Sequence, residues 1–488
     1  MEQLIHSIVD SNWYLWFFGL FTCVILLLLR RGKDGQGDGS AIKPKLPPGS
    51  AGLPFIGETI RFLLDAKSSR RKFFDEHELR YGPIFRCNLF GRARAVVSVD
   101  PEFNKYVLQN EGRLFEAKYL ASFRHLIGKY GLSAVQGELQ RKLHGTAVNL
   151  LKHERLSSDF MDDIQDIFLA GMRKWEEQGD IPIQHKCNQA SIIVLNLMAK
   201  KLLDLPPAEE MKDVYKAFDD FVGAVFSLPL NIPGTTYARG IQARGILLKR
   251  IHECIKERRQ HPEVVRNDLL TKLLREGTFS DEIIADTIIF FVFAGVETSS
   301  MAMAFAVKYL TENPRALEEL RAEHDALLKA KGKGNEKLTW NDYQSMKFVH
   351  CVINETLRLS SATVVLFREA KQDIKVKDFV IPKGWTVYAF LSATHVDEKY
   401  HYEADKFLPW RWQNKGQEIL DEPCYMPFGR GGRLCPGLHL ARFEIALFLH
   451  NFVTKFRWEA LEVNHATHFP LPSMAKGFPI RLHSRADD

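Results

Sequence analysis

Apolar residues recur every three to four positions over most of the chain, the period of an amphipathic helix. The pattern predicts helices over Asp159–Glu177, Cys187–Leu203, Thr235–Arg259, Asp281–Leu310, Arg315–Ala330, Trp340–Leu359 and Leu438–Phe456. Strand-like stretches are few. IFRCNLF and ARAVVSV flank Gly91 between Ile84 and Val99. Two more, Asp373–Val380 and Thr386–Ala389, lie either side of the turn IPKGW. The expected class is mainly α with small β-sheets. There is no internal repeat, and no GxGxxG opens a strand–helix unit, so the chain is not expected to carry its own nicotinamide or flavin.

The periodicity gives way at the N-terminus to WYLWFFGLFTCVILLLL, the 17 uncharged residues Trp13–Leu29. A helix of that length spans ~26 Å, close to the ~27 Å core of an endoplasmic-reticulum bilayer. Arg30, Arg31 and Lys33 follow it, while Glu2 and Asp10 precede it. Basic flanks stay on the cytosolic side, which orients the remainder of the chain there. A cleaved signal peptide would need a basic start and a small-residue cleavage site, and neither is present. The expected organisation is a single-pass anchor over 1–31, a linker and proline-rich hinge over 32–54, and one domain over 55–488. The hinge is expected to be stiff, since proline fixes φ.

Composition changes this picture little. Apolar residues make up 45% of the 488 and charged residues 26%, with a formal net charge of +6. That mild excess, with no basic stripe interleaved with aromatics, argues against nucleic acid as a partner. The seven cysteines (23, 87, 187, 254, 351, 424 and 435) are scattered, odd in number and without a CxxC pair. They form no disulfide framework and point to a reducing compartment.

Cys435 stands apart. It lies in PFGRGGRLCPGLHLARFEIALFLH, where Phe428, Gly431, Arg433, Cys435 and Gly437 give the spacing F-x-x-G-x-R-x-C-x-G before a helix. Amides at a helix start can stabilise a thiolate. An axial thiolate on haem iron pushes electron density towards it and favours O–O cleavage. In that reading Gly431 lets the backbone approach a flat macrocycle. Arg433 pairs with a propionate, Phe428 shields the sulfur, and Gly437 brings the helix near the ring. Zinc on Cys435 and His439 would need further ligands, which no neighbouring Cys or His supplies. A cysteine nucleophile would need a histidine placed by the fold, and the sequence neither provides nor excludes one.

Three further motifs precede this loop. Glu355 and Arg358 in NETLRL are three apart on a helix, hence on one face, and Arg411 follows in KFLPWRWQ. Together they suit a carboxylate shared by two guanidiniums. In FAGVETSS, Gly295 costs an apolar helix about 1 kcal/mol against Ala, which a local opening of the helix would explain. Glu297 and Thr298 beside it form an acid–alcohol pair able to relay protons through water. Arg368 in LFREA is a second candidate propionate partner, and Arg141 and His144 in GELQRKLHG are further candidates.

With these motifs in this order, the sequence resembles the cytochrome P450 family from the anchor to the last residues. The resemblance implies a triangular α prism enclosing haem b between the Thr298 and Cys435 helices. It implies dioxygen as co-substrate, and electrons from NADPH through a membrane-bound flavoprotein reductase. Residue by residue it makes Cys435 the iron ligand, Glu297 and Thr298 the oxygen-activating pair, Glu355, Arg358 and Arg411 a structural triad, and Arg433 and Arg368 the propionate contacts. The chain departs from the family where many members carry Trp and Arg, having Gln140 and His144, and where they carry Pro after the E-x-x-R helix, having Ser360 and Ser361.

Finer features resemble a plant branch that oxidises steroids and terpenoids: FNKYVLQNEGR, LQRKLHGTAVNLL, LPLNIPGTTYARG, CVINETLRLS and LPWRWQ. REAKQDIKVKD, HPEVVRNDLLTKLL and FPLPSMAKGFPIRLHSR are most similar to conifer diterpenoid (resin-acid) oxidases. Those enzymes oxidise one methyl of an abietane-type olefin or alcohol in steps to a carboxylic acid. Brassinosteroid or sterol side-chain hydroxylation is the alternative. A peroxide isomerase working without NADPH, or a haem sensor, fits poorly with an intact acid–alcohol pair. Expected pocket-lining segments are Phe115–Ser122, Phe221–Ile232, Val364–Phe367 and Phe469–Ser473. The basic stretch Arg141, Lys142, Lys152, His153 and Arg155 is a candidate docking face for an acidic reductase. The expected location is the endoplasmic-reticulum membrane, with the catalytic domain in the cytosol.

Overall fold

The longest apolar run, Asp281–Thr311, forms a 31-residue helix. Ser280 caps its start by accepting from the Ile283 amide, and Asp281 and Glu282 favour the positive helix end. Its composition would suit a membrane span, but 67% of its most apolar window is buried, and it is the central helix of the domain. Around it pack the helices Gln189–Leu203, Thr236–Gln260, Lys347–Ser360 and Leu438–Lys455. Their facing sides form one large apolar core that includes Phe305, Leu310, Val352, Phe448 and Phe452, all 0–1% exposed. The computed structural model describes residues 45–485 except 54–55, 93, 152–157, 185–188, 207–210, 267, 333–336, 415–420, 464 and 475. The expected anchor, the linker up to residue 44, and Lys152, His153 and Arg155 lie outside the described residues. The described residues from 46 onward form one compact unit.

The β part is a six-stranded mixed sheet in the order Gly49–Ser50, Ile84–Cys87, Ala95–Ser98, Thr386–Phe390, Val365–Ala370, Phe115–Ala117. The two central strands, AVVS and TVYAF, are buried along their whole length, which is why they read as continuous apolar runs. Ala95 pairs with Thr386 in parallel register, and Phe367 opposes Tyr388. The end of the proline-rich stretch belongs to this sheet, since Gly49 and Ser50 pair with Arg86 and Cys87. A three-stranded sheet joins Phe456–Ala460, Pro479–Ser484 and Asp180–Pro182.

Two expected elements are corrected. Trp340–Leu359 is not one helix but two, Trp340–Ser345 and Lys347–Ser360, separated by an extended Met346. The second helix has its own cap, supplied by a distant side chain. Both oxygens of Glu323 accept, from the amides of Phe348 (2.7 Å) and Val349 (2.8 Å). Asp373–Val380 is likewise not one strand but a hairpin, Ile374–Val376 against Phe379–Ile381, turning at Lys377 with φ 49°.

Candidate active site

The Glu355 carboxylate organises the approach to the cysteine loop. It accepts from Arg358 Nε (2.9 Å) and Nη2 (2.8 Å), Arg411 Nε (3.0 Å), Trp412 Nε1 (2.8 Å) and the Leu408 amide (2.8 Å). Burial, the largest single influence, would raise its pKa, but the Arg358 bonds, the charges of Arg358 and Arg411 and the Leu408 amide together hold it below the usual range. Arg358 also donates to the carbonyls of His395, Ala404 and Lys406, and Arg411 to those of Tyr402 and Glu403. The expected triad is therefore assembled, with Trp412 as a fourth member. It fixes the chain from 395 to 412, and His395 Nε2 in turn accepts from the Met426 amide at the entrance to the loop.

In the loop, the Cys435 amide donates to the Phe428 carbonyl (3.0 Å), and the Gly437 amide donates to the Cys435 thiol. Gly437 caps the Leu438–Lys455 helix, so the sulfur sits at a helix start, where a thiolate is favoured. Gly431 has a packing reason of its own. With φ 75°, its Cβ would stand 2.3 Å from the Leu108 carbonyl oxygen, so it admits a neighbouring backbone. Arg433 and Arg368 are brought together on Glu111, which sequence reading missed. Arg433 Nε lies 2.8 Å from one oxygen and Arg368 Nε reaches the other. Arg433 makes three further bonds, to the carbonyls of Leu132 and Val135 and to Gln136. Gln140 and His144 donate to the loop carbonyls of Gly432 (3.0 Å) and Leu434 (2.7 Å), so at this position they brace the loop. Arg141 is exposed on the same helix, away from that contact.

On the central helix, the Thr298 hydroxyl donates to the Ala294 carbonyl (2.7 Å), and the helix runs unbroken through Gly295. The expected opening is absent. Gly295 makes room for the neighbouring helix, where Met198 Sδ would lie 2.8 Å from a Cβ. Glu297 is deep enough that burial, helped by the charge of Asp219, raises its carboxyl to about 7. Two residues on, Ser299 bonds Glu444 of the cysteine helix, whose carboxyl burial raises to about 8. That contact, also missed in the sequence, ties the two helices together.

These residues fit a haem. Burial raises the Cys435 thiol to about 11, yet the residue is only half-buried. Glu297 shows the same combination, and Ala294, Gly295 and Thr298 beside it are half-buried. The Asp281–Thr311 and Leu438–Lys455 helices pack together, so a soft sulfur donor at the start of one and an acid–alcohol pair on the other, each retaining some exposure, belong to neighbouring elements. A thiol that burial keeps protonated is deprotonated outright once it coordinates a metal.

The matching family model is Cytochrome P450, over residues 47–477. The chain belongs to the cytochrome P450 family. It is 58% identical to Cytochrome P450 720B2 of Pinus taeda, over 96% of this chain and 97% of that protein. It is 53% identical to the abietadienol/abietadienal oxidase of Pinus taeda, over 96% and 98%. It is 38% identical to a steroid (22S)-hydroxylase of Oryza sativa subsp. japonica, over 91% and 89%. The structure of retinoic acid bound cyanobacterial CYP120A1 superposes with a TM-score of 0.81 at 27% identity, over 91% of this chain and all of that one. As a P450 the protein is a haem-thiolate monooxygenase with the expected fold.

An aromatic series joins the expected lining segments of this P450. Tyr119 packs on Phe123 (5.0 Å) and Phe367 (5.8 Å), and Phe123 on Phe226 (5.7 Å) and Phe293 (6.3 Å). Phe221 meets Phe293 (6.2 Å), and Phe90 links Phe367 (6.2 Å) to Phe469 (5.3 Å). Phe293 lies one turn before Glu297. The far end of Phe221–Ile232 does not join the series, since Leu228, Leu230 and Ile232 are 75%, 52% and 58% exposed. Two turns before Phe293 on the central helix, Asp286 accepts from Arg244 Nη2 and the Tyr130 amide, and Arg244 Nε donates to the Leu126 carbonyl (2.9 Å).

Proposed function

We propose that this P450 oxidises one methyl group of an abietane-type diterpene olefin, alcohol or aldehyde stepwise towards the acid, with Cys435 as iron ligand. The observation that carries the assignment is the Cys435 thiol, which accepts from the Gly437 amide while its own backbone amide donates to the Phe428 carbonyl, in a loop braced by Gln140 and His144. The substrate class rests on 53% identity to an abietadienol/abietadienal oxidase over nearly the whole chain.

When bound, the haem supplies an iron that activates dioxygen, with the thiolate favouring O–O cleavage. The chain supplies the rest. Glu297, titrating near 7, and Thr298 pass protons from the interior to the oxygen side. The aromatic series binds an apolar tricyclic skeleton and keeps bulk water away from it. Arg368 and Arg433, oriented by Glu111, would hold the propionates. The Trp13–Leu29 segment anchors the chain in the endoplasmic-reticulum membrane, from which so apolar a substrate partitions. A membrane flavoprotein reductase delivers electrons from NADPH. Arg141 and Lys142, exposed on the helix that braces the cysteine loop, belong to its docking face.

The test begins with the reduced carbon-monoxide difference spectrum of wild type and Cys435→Ser. A strongly red-shifted Soret band in wild type alone supports the thiolate assignment. A folded, haem-loaded wild type without it sinks the mechanism. Diterpene and sterol panels with reductase and NADPH then decide between this reading and sterol side-chain hydroxylation, which the 38% identity to a steroid hydroxylase favours as the second choice.

A further inference from the structure

Glu58 precedes the Thr59–Ser68 helix, His77 lies on the Lys72–Tyr81 helix, and Cys87 ends the strand Ile84–Cys87. One donor atom from each lies within 4.8 Å of the other two. The residues are 9%, 4% and 0% exposed. We propose that Glu58, His77 and Cys87 bind one thiophilic divalent cation of the zinc type, separate from the haem.

Carboxylate, imidazole and thiolate are the donors zinc takes, at ~2.0–2.3 Å, which sets tetrahedral ligand atoms roughly 3.5 Å apart. Glu58 Oε2 and His77 Nε2 are already 2.9 Å apart. His77 Nδ1 lies 2.8 Å from the Phe73 carbonyl, the outer contact that orients a metal-ligating histidine. Its ring is stacked between Phe73 and Phe85, with centroids at 4.2 and 5.0 Å. Backbone packing sets the third ligand. Gly57, at φ 62°, lies against Asn88, where a Cβ would stand 2.1 Å from the carbonyl oxygen, and the Glu58 amide donates to that carbonyl (2.9 Å). Glu58 is thereby held beside Cys87.

A plain His77–Glu58 pair next to an inert thiol leaves one atom unexplained. Glu58 Oε1 is buried and has no hydrogen-bond partner. A cation supplies it. A divalent ion with one carboxylate and one thiolate also sums to zero charge, which suits an apolar enclosure. Arg61, 3.8 Å from Glu58 Oε2, is offset by Asp65 and Glu76. Burial pushes the Cys87 thiol up, so metal entry expels its proton and affinity rises with pH.

The test uses the full-length, haem-loaded enzyme in detergent, equilibrated with zinc chloride and then dialysed. Zinc per chain is measured by mass spectrometry, and affinity by competition with a chromophoric chelator. The expected result is about one zinc per chain in wild type, with X-ray absorption showing one sulfur at ~2.3 Å. Glu58→Gln and Cys87→Ala should each weaken binding at least about tenfold. Both variants are read only with the carbon-monoxide band intact. If Cys87→Ala does not fold, Glu58→Gln, at the more exposed edge, decides alone. Substoichiometric zinc in wild type, or unchanged affinity in the folded variants, overturns the proposal.

Discussion

Replacing Glu355 by Gln isolates the buried polar cluster that positions the cysteine loop. Glu355 and Arg358 have no exposed side-chain surface, and Arg411 has 13%. Gln keeps one acceptor oxygen and turns an amide N–H₂ towards the donors of Arg358, Arg411 and Trp412. Two guanidiniums then share an interior without a counter-charge. Removing one partner of a buried ion pair costs roughly 3–5 kcal/mol. With unfolding entropy near 2.1 cal/mol/K per residue, a domain of about 440 residues loses roughly 1 °C of Tm per kcal/mol. The expected drop is therefore about 3–5 °C in a thermal melt of the haem-loaded enzyme. Loss of the red-shifted carbon-monoxide band should accompany it, because the same cluster holds the chain leading into the loop. Asp166→Asn is the control. It breaks the exposed Lys337–Asp166 pair, with side chains 41% and 63% exposed, and should cost under about 1 kcal/mol. The pH sign follows from the depressed Glu355 pKa. Its stabilisation is present above the ordinary carboxylate range and is lost as pH falls through the folded-state pKa. Wild type should thus converge on the variant in acid. Equal melts at neutral pH, or a gap that widens on acidification, would refute the reasoning.

Thr298→Ala should lower product formed per NADPH by about tenfold or more and raise released hydrogen peroxide, since a placed proton donor contributes 10²–10⁴-fold; normal coupling would count against the relay. Glu297 is raised to about 7, so its neutral form favours the folded state, and that contribution fades as pH rises through this value. Glu297→Gln should flatten the pH dependence of both the coupling efficiency and the melting temperature over the interval from the ordinary carboxylate range up to about 7, which paired pH series would show. Glu111→Gln leaves two guanidiniums without their carboxylate beside the loop, and spectroelectrochemistry should find a more positive haem potential, by a few tens of millivolts. Gly431→Ala meets the Leu108 carbonyl at 2.3 Å in a left-handed conformation, and its yield of haem-loaded protein should collapse.

Long, strongly periodic helices were legible in the sequence within a few residues of their ends. The central helix was predicted as Asp281–Leu310 and runs Asp281–Thr311. The break at Met346 was not, because its cause is Glu323 reaching across from another helix. The site divides the same way. Cys435, Arg433 and Gly431 stand in one short motif, whereas Glu111 meets Arg433 across 322 residues of chain, and no local pattern marks it. Trp412 stands beside Arg411 in KFLPWRWQ, and an indole N–H adjoining that arginine was the available signal. Gly295 and Gly431 show the converse limit. The sequence reveals that a glycine is tolerated, but only packing reveals whether a helix, a backbone or a ring lies against it.

Asp286 has a kinetic consequence. One carboxylate holds the Tyr130 amide and the Arg244 guanidinium, and through Arg244 the Leu126 carbonyl, so three stretches of chain share a single clasp. They cannot loosen one at a time. This corner opens all at once or not at all, governed by one equilibrium constant rather than three.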